Sequence, residues 1–376
     1  MIKKVAIDSG PLTSGHSVRG IGVYTRELIS TFEKLKPDDF VFEKGRIKVE
    51  AVDFSKNDLS SFDLLHYQHF NPFLKLSFEK KTRPKIIFTI HDLIPLIYPK
   101  NYPPGIKGRL NFFLNKAKLK DVDRVITISK TSKKDIVKFL SYPEEKIDVI
   151  YLAPRDIFRN LKEGNWKKEI IYRYKLPKIF ALYVGDVNYN KNISTLLKAC
   201  KELDLPLFIA GKQAYDLENH KSRENMGVRD WIRFLFNKPH PETAHFEELI
   251  KLFSQSNKIV RLGFVPDSDL VAIYNLASVY IQPSFYEGFG LPLLEAMSCG
   301  TPVLASSILT HREVAENSAL FFDPQSVSDL KEKLEMILSD KKLRENLINK
   351  GFERVKDFSW IKTAKNTLKV YEKILF

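Results

Sequence analysis

The stretch Ser284-Phe-Tyr-Glu287-Gly288-Phe289-Gly290-Leu291-Pro292-Leu-Leu-Glu295-Ala-Met-Ser-Cys299-Gly300-Thr-Pro302 organises everything around it. The run just before it, Ser278-Val-Tyr-Ile-Gln282, is short, apolar and of strand type. Pro292 suits a first helical position, where a helix start has no use for an N–H. The order is therefore strand, glycine turn, helix. The N–H groups of Gly288, Phe289, Gly290 and Leu291 then stand at the positive end of the helix dipole, placed to receive an anion such as a phosphate. Glu287 and Glu295 bracket that seat. A carboxylate on each side of a phosphate cradle suits a ligand with hydroxyls flanking a diphosphate, as in a sugar nucleotide. The plainer alternative is a strand, turn and helix whose glycines serve only close packing, but packing alone demands neither acid.

Outward from this stretch, short apolar runs alternate with longer helical patterns almost throughout, which predicts parallel α/β sheets. Strands are expected at 4–7, 47–54, 64–67, 85–90, 124–128 and 148–151, and again at 180–184, 206–210, 258–263, 279–282, 303–305 and 320–322. The polar segment 160–174 falls between two repeats of this pattern and reads as a linker. A chain of 376 residues also exceeds one simple core. The expected fold is α/β, with two Rossmann-like doubly wound domains, 1–165 and 175–357, facing each other across a cleft. Ligands in such sheets lie beyond the carboxyl ends of the strands. Segment 213–255 is longer than a strand–helix–strand connection requires, and its aromatic piece 228–236 reads as local core.

Composition narrows the classes. Hydrophobic residues make up 44% of the chain, as in a globular protein, and no run reaches the roughly 18 apolar residues of a spanning helix. The start, Met1-Ile-Lys-Lys-Val-Ala-Ile-Asp8, enters a strand pattern without a signal-peptide core. Cys200 and Cys299 have neither metal-ligand nor disulfide spacing. A cytoplasmic protein is expected. Sixty Lys and Arg against 46 Asp and Glu give a net charge of +14, which attracts polyanions. No zinc-finger spacing, RNA-binding aromatic motif or basic recognition helix accompanies the charge, so nucleic acid is not the expected partner. An anionic membrane surface accounts for it better, at the inner face of the membrane.

The 284–302 stretch strongly resembles the signature of the group 1 retaining glycosyltransferases, in which two Glu are separated by seven residues. The resemblance implies the GT-B architecture, with the donor nucleotide sugar on the second domain and the acceptor on the first. Glu287 would then face the donor sugar and Glu295 the ribose. The resemblance runs over nearly the whole chain, dense in the second half and patchier in the first. It also implies that the closing segment 358–376, apolar at helical spacing, packs back on the first domain. A plain helix on the second domain is the alternative.

Other segments carry the resemblance further. Arg19-Gly20-Ile-Gly22 follows a strand and a loop and opens a helix, and Gly20 and Gly22 are then expected near the diphosphate or the acceptor. His91, in Thr89-Ile-His91-Asp92-Leu-Ile-Pro95, ends a strand and resembles the histidine that contacts the donor sugar, with Asp92 orienting the loop. His66 ends another strand and is a weaker candidate for the acceptor side. Lys191, in Gly185-Asp186-Val-Asn-Tyr-Asn190-Lys191, is a point charge for the leaving diphosphate. The family's loop usually adds an arginine where this chain has Asp186 or Asn190, and Lys212 is the candidate replacement. The backbone at Gly263 and Val265 resembles the segment that borders the base.

These parts together imply a retaining transfer of a hexose to a glycan or lipid-linked acceptor. GDP-mannose is the first expected donor, with UDP-hexoses next. The leaving phosphate would help deprotonate the acceptor, and no cofactor or essential metal is expected, because lysine and helix N-termini supply the charge. A same-fold sugar-nucleotide epimerase and a silent nucleotide-sugar or anionic-surface binding protein stay open as rivals. Asn111-Phe-Phe-Leu-Asn-Lys116-Ala-Lys118-Leu-Lys120 mixes apolar and basic residues at helical spacing. It reads equally as a helix resting on an anionic bilayer and as one whose apolar face enters the core.

Overall fold

A computed structural model of the chain describes residues 1–13, 15, 20–76, 78, 84–217 and 240–376. They form two compact units. One holds Met1–Pro99, Pro103–Ala153 and Phe358–Phe376, and the other Lys100–Tyr102 with Pro154–Asp357. Arg19 and the aromatic piece 228–236 lie outside the described residues.

The strands of the first unit are β1 (Ile2–Asp8), β2 (Val41–Phe42), β3 (Gly45–Val52), β4 (Leu64–Tyr67), β5 (Lys85–Ile90), β6 (Arg124–Thr127) and β7 (Ile147–Val149). They form one sheet in the order β2-β3-β1-β4-β5-β6-β7, parallel except for the β2–β3 pair. In β5, Lys-Ile-Ile-Phe-Thr-Ile, every residue after the lysine is buried. Such a run belongs to a parallel strand covered on both faces. β2 carries no signal of its own in the sequence, because two residues are too few to show a period.

The closing helix, Trp360–Leu375, is part of this first unit. Ser359 caps it by accepting from the N–H of Lys362, which satisfies a donor the helix cannot. Trp360, Ala364, Leu368 and Tyr371 fall on one buried face. The hydroxyl of Thr363 donates to the carbonyl of Tyr151 at 2.7 Å.

The second unit contains β8 (Ala181–Val184), β9 (Leu207–Ala210), β10 (Ile259–Gly263), β11 (Val279–Gln282), β12 (Val303–Ser306) and β13 (Leu320–Phe322). All pairings are parallel, in the order β10-β9-β8-β11-β12-β13. Strands β9 and β10 lie to one side of β8, and β11, β12 and β13 to the other. The order therefore reverses between β8 and β11, and a crevice at their carboxyl ends is where such a sheet takes a ligand. Leu196, Leu249, Ile281, Leu304 and Leu334 belong to the core beneath.

The segment 160–174 differs from its reading as a linker. It contains a helix, Trp166–Tyr174, that buries only Ile170, which is why its sequence is so polar. Arg173 and Tyr174 hold that helix to Asp269, at 2.6 and 2.7 Å. Among the described residues, no helix is long and apolar enough to cross a membrane.

Candidate functional site

The loops after β8 and β11 are adjacent because their strands are paired, with Ala181 beside Val279 and Leu182 beside Tyr280. Side chains of the first loop hold the backbone of the second. Asn190 accepts from the N–H of Phe285 through its carbonyl at 2.8 Å, and its amide donates to the carbonyl of Tyr286 at 3.1 Å. The hydroxyl of Tyr102 donates to the Asn190 side chain at 2.8 Å. Asn192, in the left-handed region at φ 54°, donates to the carbonyls of Pro283 and Pro324 at 2.9 and 2.8 Å. Between these ties, Lys191 Nζ lies 2.8 Å from Glu287 Oε1 and 2.9 Å from Oε2.

Glu287 is buried, and its Oε1 also accepts from Ser284 Oγ at 2.6 Å and Gln282 Nε2 at 3.0 Å. Burial alone pushes its pKa up. The Lys191 charge, together with the hydrogen bonds, outweighs burial and holds the carboxyl below its ordinary value. An ammonium fixed by both oxygens of one carboxylate cannot wander, so its charge is preorganised.

Three residues on, Gly290 caps the Leu291–Ser298 helix in the left-handed region at φ 93°. A Cβ there would lie 3.1 Å from Leu293 Cδ1 and 3.3 Å from His311 Cδ2, so glycine is needed for both backbone and space. Leu291 takes the first helical position and Pro292 the second, one place later than expected. The start of this helix, with Gly288 and Phe289 before it, is the turn that the sequence suggests as an anion seat.

Glu295 lies one turn into the helix, buried, with the Tyr274 hydroxyl 3.3 Å from Oε2. Burial raises its pKa to about 7, against the opposing charge of Arg155 and the tyrosine hydrogen bond. Arg155 is itself turned to Asp267 by two bonds of 2.6 and 2.9 Å.

Lys212 opens the short Lys212–Asp216 helix and is exposed. Gly263 ends β10 at φ 71°, and its carbonyl accepts from the N–H of Gly211 at 2.9 Å; Val265 follows, buried. Lys191, Glu287 and the 288–291 turn are thus brought together, with Glu295 on the helix behind and Lys212, Gly263 and Val265 at the ends of β9 and β10.

The remaining candidates belong to the first unit. Gly20 begins the Gly20–Lys34 helix and Gly22 is buried within its first turn. A Cβ on Gly20 meets nothing within 4 Å among the described residues. Tyr24 of the same helix packs edge-on against His91, with ring centroids 4.9 Å apart. His91 Nε2 donates to the carbonyl of Gln68 at 3.0 Å. Asp92 accepts from the N–H of Ile94 at 3.1 Å and so shapes the loop. His66 departs from the expectation. It is fully buried, with Nδ1 2.6 Å from the Tyr371 hydroxyl and Nε2 2.8 Å from Thr89 Oγ1. Burial and the nearby His91 lower its pKa to about 3, so it is a neutral core residue of the first unit.

The family model described as glycosyl transferases group 1 matches residues 166–354, half of the chain, and one for glycosyltransferase family 4 matches residues 44–153. The chain belongs to the group 1 glycosyltransferases. The glycosyltransferase is similar to O-antigen chain mannosyltransferase B of Escherichia coli, 29% identical over 300 residues that cover 77% of this chain and 70% of that one. It is also 28% identical, over 77% of its length, to the serotype-specific mannosyltransferase WbdA of Escherichia coli, of which the match spans only 34%. Among solved structures, sucrose-phosphate synthase from Thermosynechococcus elongatus superposes with a TM-score of 0.69 at 20% identity, covering 99% of both chains. HepE of Anabaena, solved with UDP and glucose, gives 0.68 at 14% identity, covering 99% of this chain and 100% of that one. At these identities the two structures speak for the fold.

Two features of the glycosyltransferase escape its sequence. His311 is fully buried and contacts the Gly290 turn from the Leu309–Ala315 helix. Ser306 Oγ spends its proton on the Ser284 carbonyl at 2.5 Å, so the His311 Nδ1 proton goes to the Ser306 oxygens, each 3.0 Å away. Nε2 is then a bare acceptor with no hydrogen-bond partner among the described residues. A histidine in Leu309-Thr-His311-Arg carries no local signal of this placement. The second feature is the use made of two Asp-x-Asp triplets, Asp121-Val-Asp123 and Asp267-Ser-Asp269, which the sequence does contain and which have the spacing of a metal–diphosphate clamp. Asp123 is held by Lys85 at 2.9 Å, Asp267 by Arg155 and Asp269 by Arg173, so these carboxylates serve structural ion pairs.

Proposed function

We propose that this glycosyltransferase moves mannose from a nucleoside diphosphate sugar, GDP-mannose first, to a glycan or lipid-linked acceptor in polysaccharide synthesis, with retention at the anomeric carbon. The observation that carries the reading is the Lys191–Glu287 pair beside the Gly290 helix start, with Glu295 on the same helix. Mannose is favoured by the names of the most similar relatives. In this reading the 288–291 amides and the fixed Lys191 ammonium take the negative charge that grows as the diphosphate leaves. Glu295 accepts from the ribose hydroxyls. Glu287 anchors Lys191, and its Oε2, less heavily bonded than Oε1, is turned to the sugar. The roles given to His91, Gly20, Gly22, Lys212, Gly263 and Val265 rest on the resemblance alone. The nucleotide sugar is a substrate, and the reading needs neither cofactor nor metal.

The test is a calorimetric panel of GDP-, UDP- and ADP-sugars, followed by assays of nucleotide diphosphate release with mannose-terminated acceptors. Selective binding of GDP-mannose, turnover that survives a chelator, and an anomeric proton signal of unchanged configuration in the product are expected. A donor other than GDP-mannose would overturn the donor assignment, an inverted product the stereochemical one. Binding with no release across the acceptor panel would favour a silent binding protein.

A further inference from the structure

The Gly105–Lys118 helix of the first unit is inside out. At about 100° per residue, Ile106, Leu110, Phe113 and Leu114 share one face, an arc of about 100° that would ordinarily mark the side turned to the core. In the folded unit these four side chains are 71%, 59%, 68% and 51% exposed. The buried positions are Gly108, Asn111 and Asn115. The inward asparagines hold the 72–76 backbone: Asn111 donates to the carbonyl of Phe73 at 2.9 Å, and Asn115 donates to those of Pro72 and Leu74 while accepting from the N–H of Leu76. Gly108 spares a clash with the helix's own cap, where a Cβ would lie 2.9 Å from Pro104 Cβ, and a tight contact of 3.4 Å with Phe73 Cβ on the segment beneath. Polar bonds, with half-buried Phe112 packed against the core, therefore seat this helix, and the apolar face of the other four is left to solvent.

A solvent-facing run of large apolar side chains on one helix marks a place of interaction. Its surroundings choose the partner. Lys107 and Arg109 are exposed and flank the apolar arc on its two sides. From residue 100 to residue 120 the chain has six basic side chains and no acidic one, in a protein of net charge +14. An apolar stripe bordered only by cations fits the headgroup layer of an anionic bilayer, where the rings and methyl groups enter the acyl boundary and the cations meet lipid phosphates. We infer that the Gly105–Lys118 helix is a membrane-docking surface, lying in the plane of an anionic bilayer with Ile106, Leu110, Phe113 and Leu114 inserted. The inference concerns where the enzyme works and stands whether or not the donor is GDP-mannose.

The experiment uses the full chain and sedimentation with vesicles of phosphatidylcholine alone or mixed with phosphatidylglycerol. Binding to the mixed vesicles, much weaker binding to pure phosphatidylcholine, and partial loss in high salt are expected. The combined change Ile106→Ser, Leu110→Ser, Phe113→Ser and Leu114→Ser should reduce partition by about tenfold or more. Because the changed residues face outward, it should leave the far-ultraviolet spectrum and the unfolding midpoint of the protein in place. Lys107→Glu with Arg109→Glu should weaken binding while keeping the apolar face, which separates loss of charge from loss of fold. Equal partition of wild type and the fourfold variant would overturn the inference, as would failure of the wild type to bind phosphatidylglycerol vesicles. Concentration-dependent dimers that vanish in the fourfold variant, without lipid binding, would assign the face to a second copy of the chain instead.

Discussion

Lys191 and Glu287 are separated by 96 positions in the chain and meet directly in the fold, where the ammonium lowers the carboxyl's pKa and the carboxylate holds the ammonium in place. Glu287 is 6% exposed. Removing its partner by Lys191→Met leaves a buried carboxylate uncompensated, at a cost of about 3 kcal/mol near neutral pH. The sign of its pH dependence follows from linkage. In the native protein the Glu287 pKa is depressed, so its stabilisation is present above the unfolded carboxylate pKa and fades as pH falls through the folded one. In the variant, burial outweighs the remaining Ser284 and Gln282 hydrogen bonds and raises that pKa, so the penalty appears as pH rises. Urea denaturation of both proteins should show a gap that widens from about pH 5 to about pH 8, and a constant gap would contradict the pairing. Glu295 runs the other way. Its pKa of about 7 lies above the unfolded value, so the unliganded protein loses stability as pH rises from the unfolded pKa to about 7. Glu295→Gln should stabilise the unliganded protein at about pH 8, by about 1–3 kcal/mol. If the ionised carboxylate accepts ribose hydroxyls, nucleotide affinity should rise with pH up to about 7, and proton release should be visible by calorimetry in buffers of different ionisation enthalpy. Affinity independent of pH would remove Glu295 from the ribose.

At the scale of elements, the site is made by loops that leave neighbouring strands and are tied to one another by backbone bonds. Asn190 explains a departure that its sequence leaves unexplained. Where the family's loop usually carries an arginine, the short amide of Asn190 reaches the Tyr286 carbonyl and receives the Tyr102 hydroxyl. It is only 4% exposed, which leaves no room for a longer side chain. Asn190→Arg should therefore not add a useful cation. It should cost about 1–3 kcal/mol and lower turnover by displacing the backbone that carries Glu287. Equal or higher turnover, measured as nucleotide release, would show that the position can bear charge. Gly211 is a sharper constraint of the same kind. A Cβ there would lie 2.2 Å from the Gly185 carbonyl oxygen, backbone against backbone, so the ends of β8 and β9 meet only across glycine.

At the scale of the molecule, each unit has its own sheet, and the closing helix completes the first. Trp360, Leu368 and Tyr371 are buried in it, and the Tyr371 hydroxyl meets His66 at 2.6 Å. Deleting 358–376 should strip apolar cover from one unit and leave His66 without that partner. Calorimetry is expected to show the loss of one unfolding transition and the survival of the other, and survival of both would mean that the helix is dispensable to the first sheet. The strands read from the sequence recur in the structure within two residues, because the apolar runs of buried parallel strands are local patterns. The glycine turn between Glu287 and Glu295 was legible for the same reason, since its backbone demands are written in adjacent residues. By itself, then, the chain determined its alternation of strand and helix, its glycine turn and its family. The tertiary structure decided what strand order decides: Lys191 beside Glu287, Asn190 as a tie, and His311 under the turn. It also decided orientation, making His66 a core residue and turning the apolar face of the 105–118 helix outward. The physical reason is that periodicity tells a chain which residues share a face, while the partner that covers that face is chosen by contacts between distant segments.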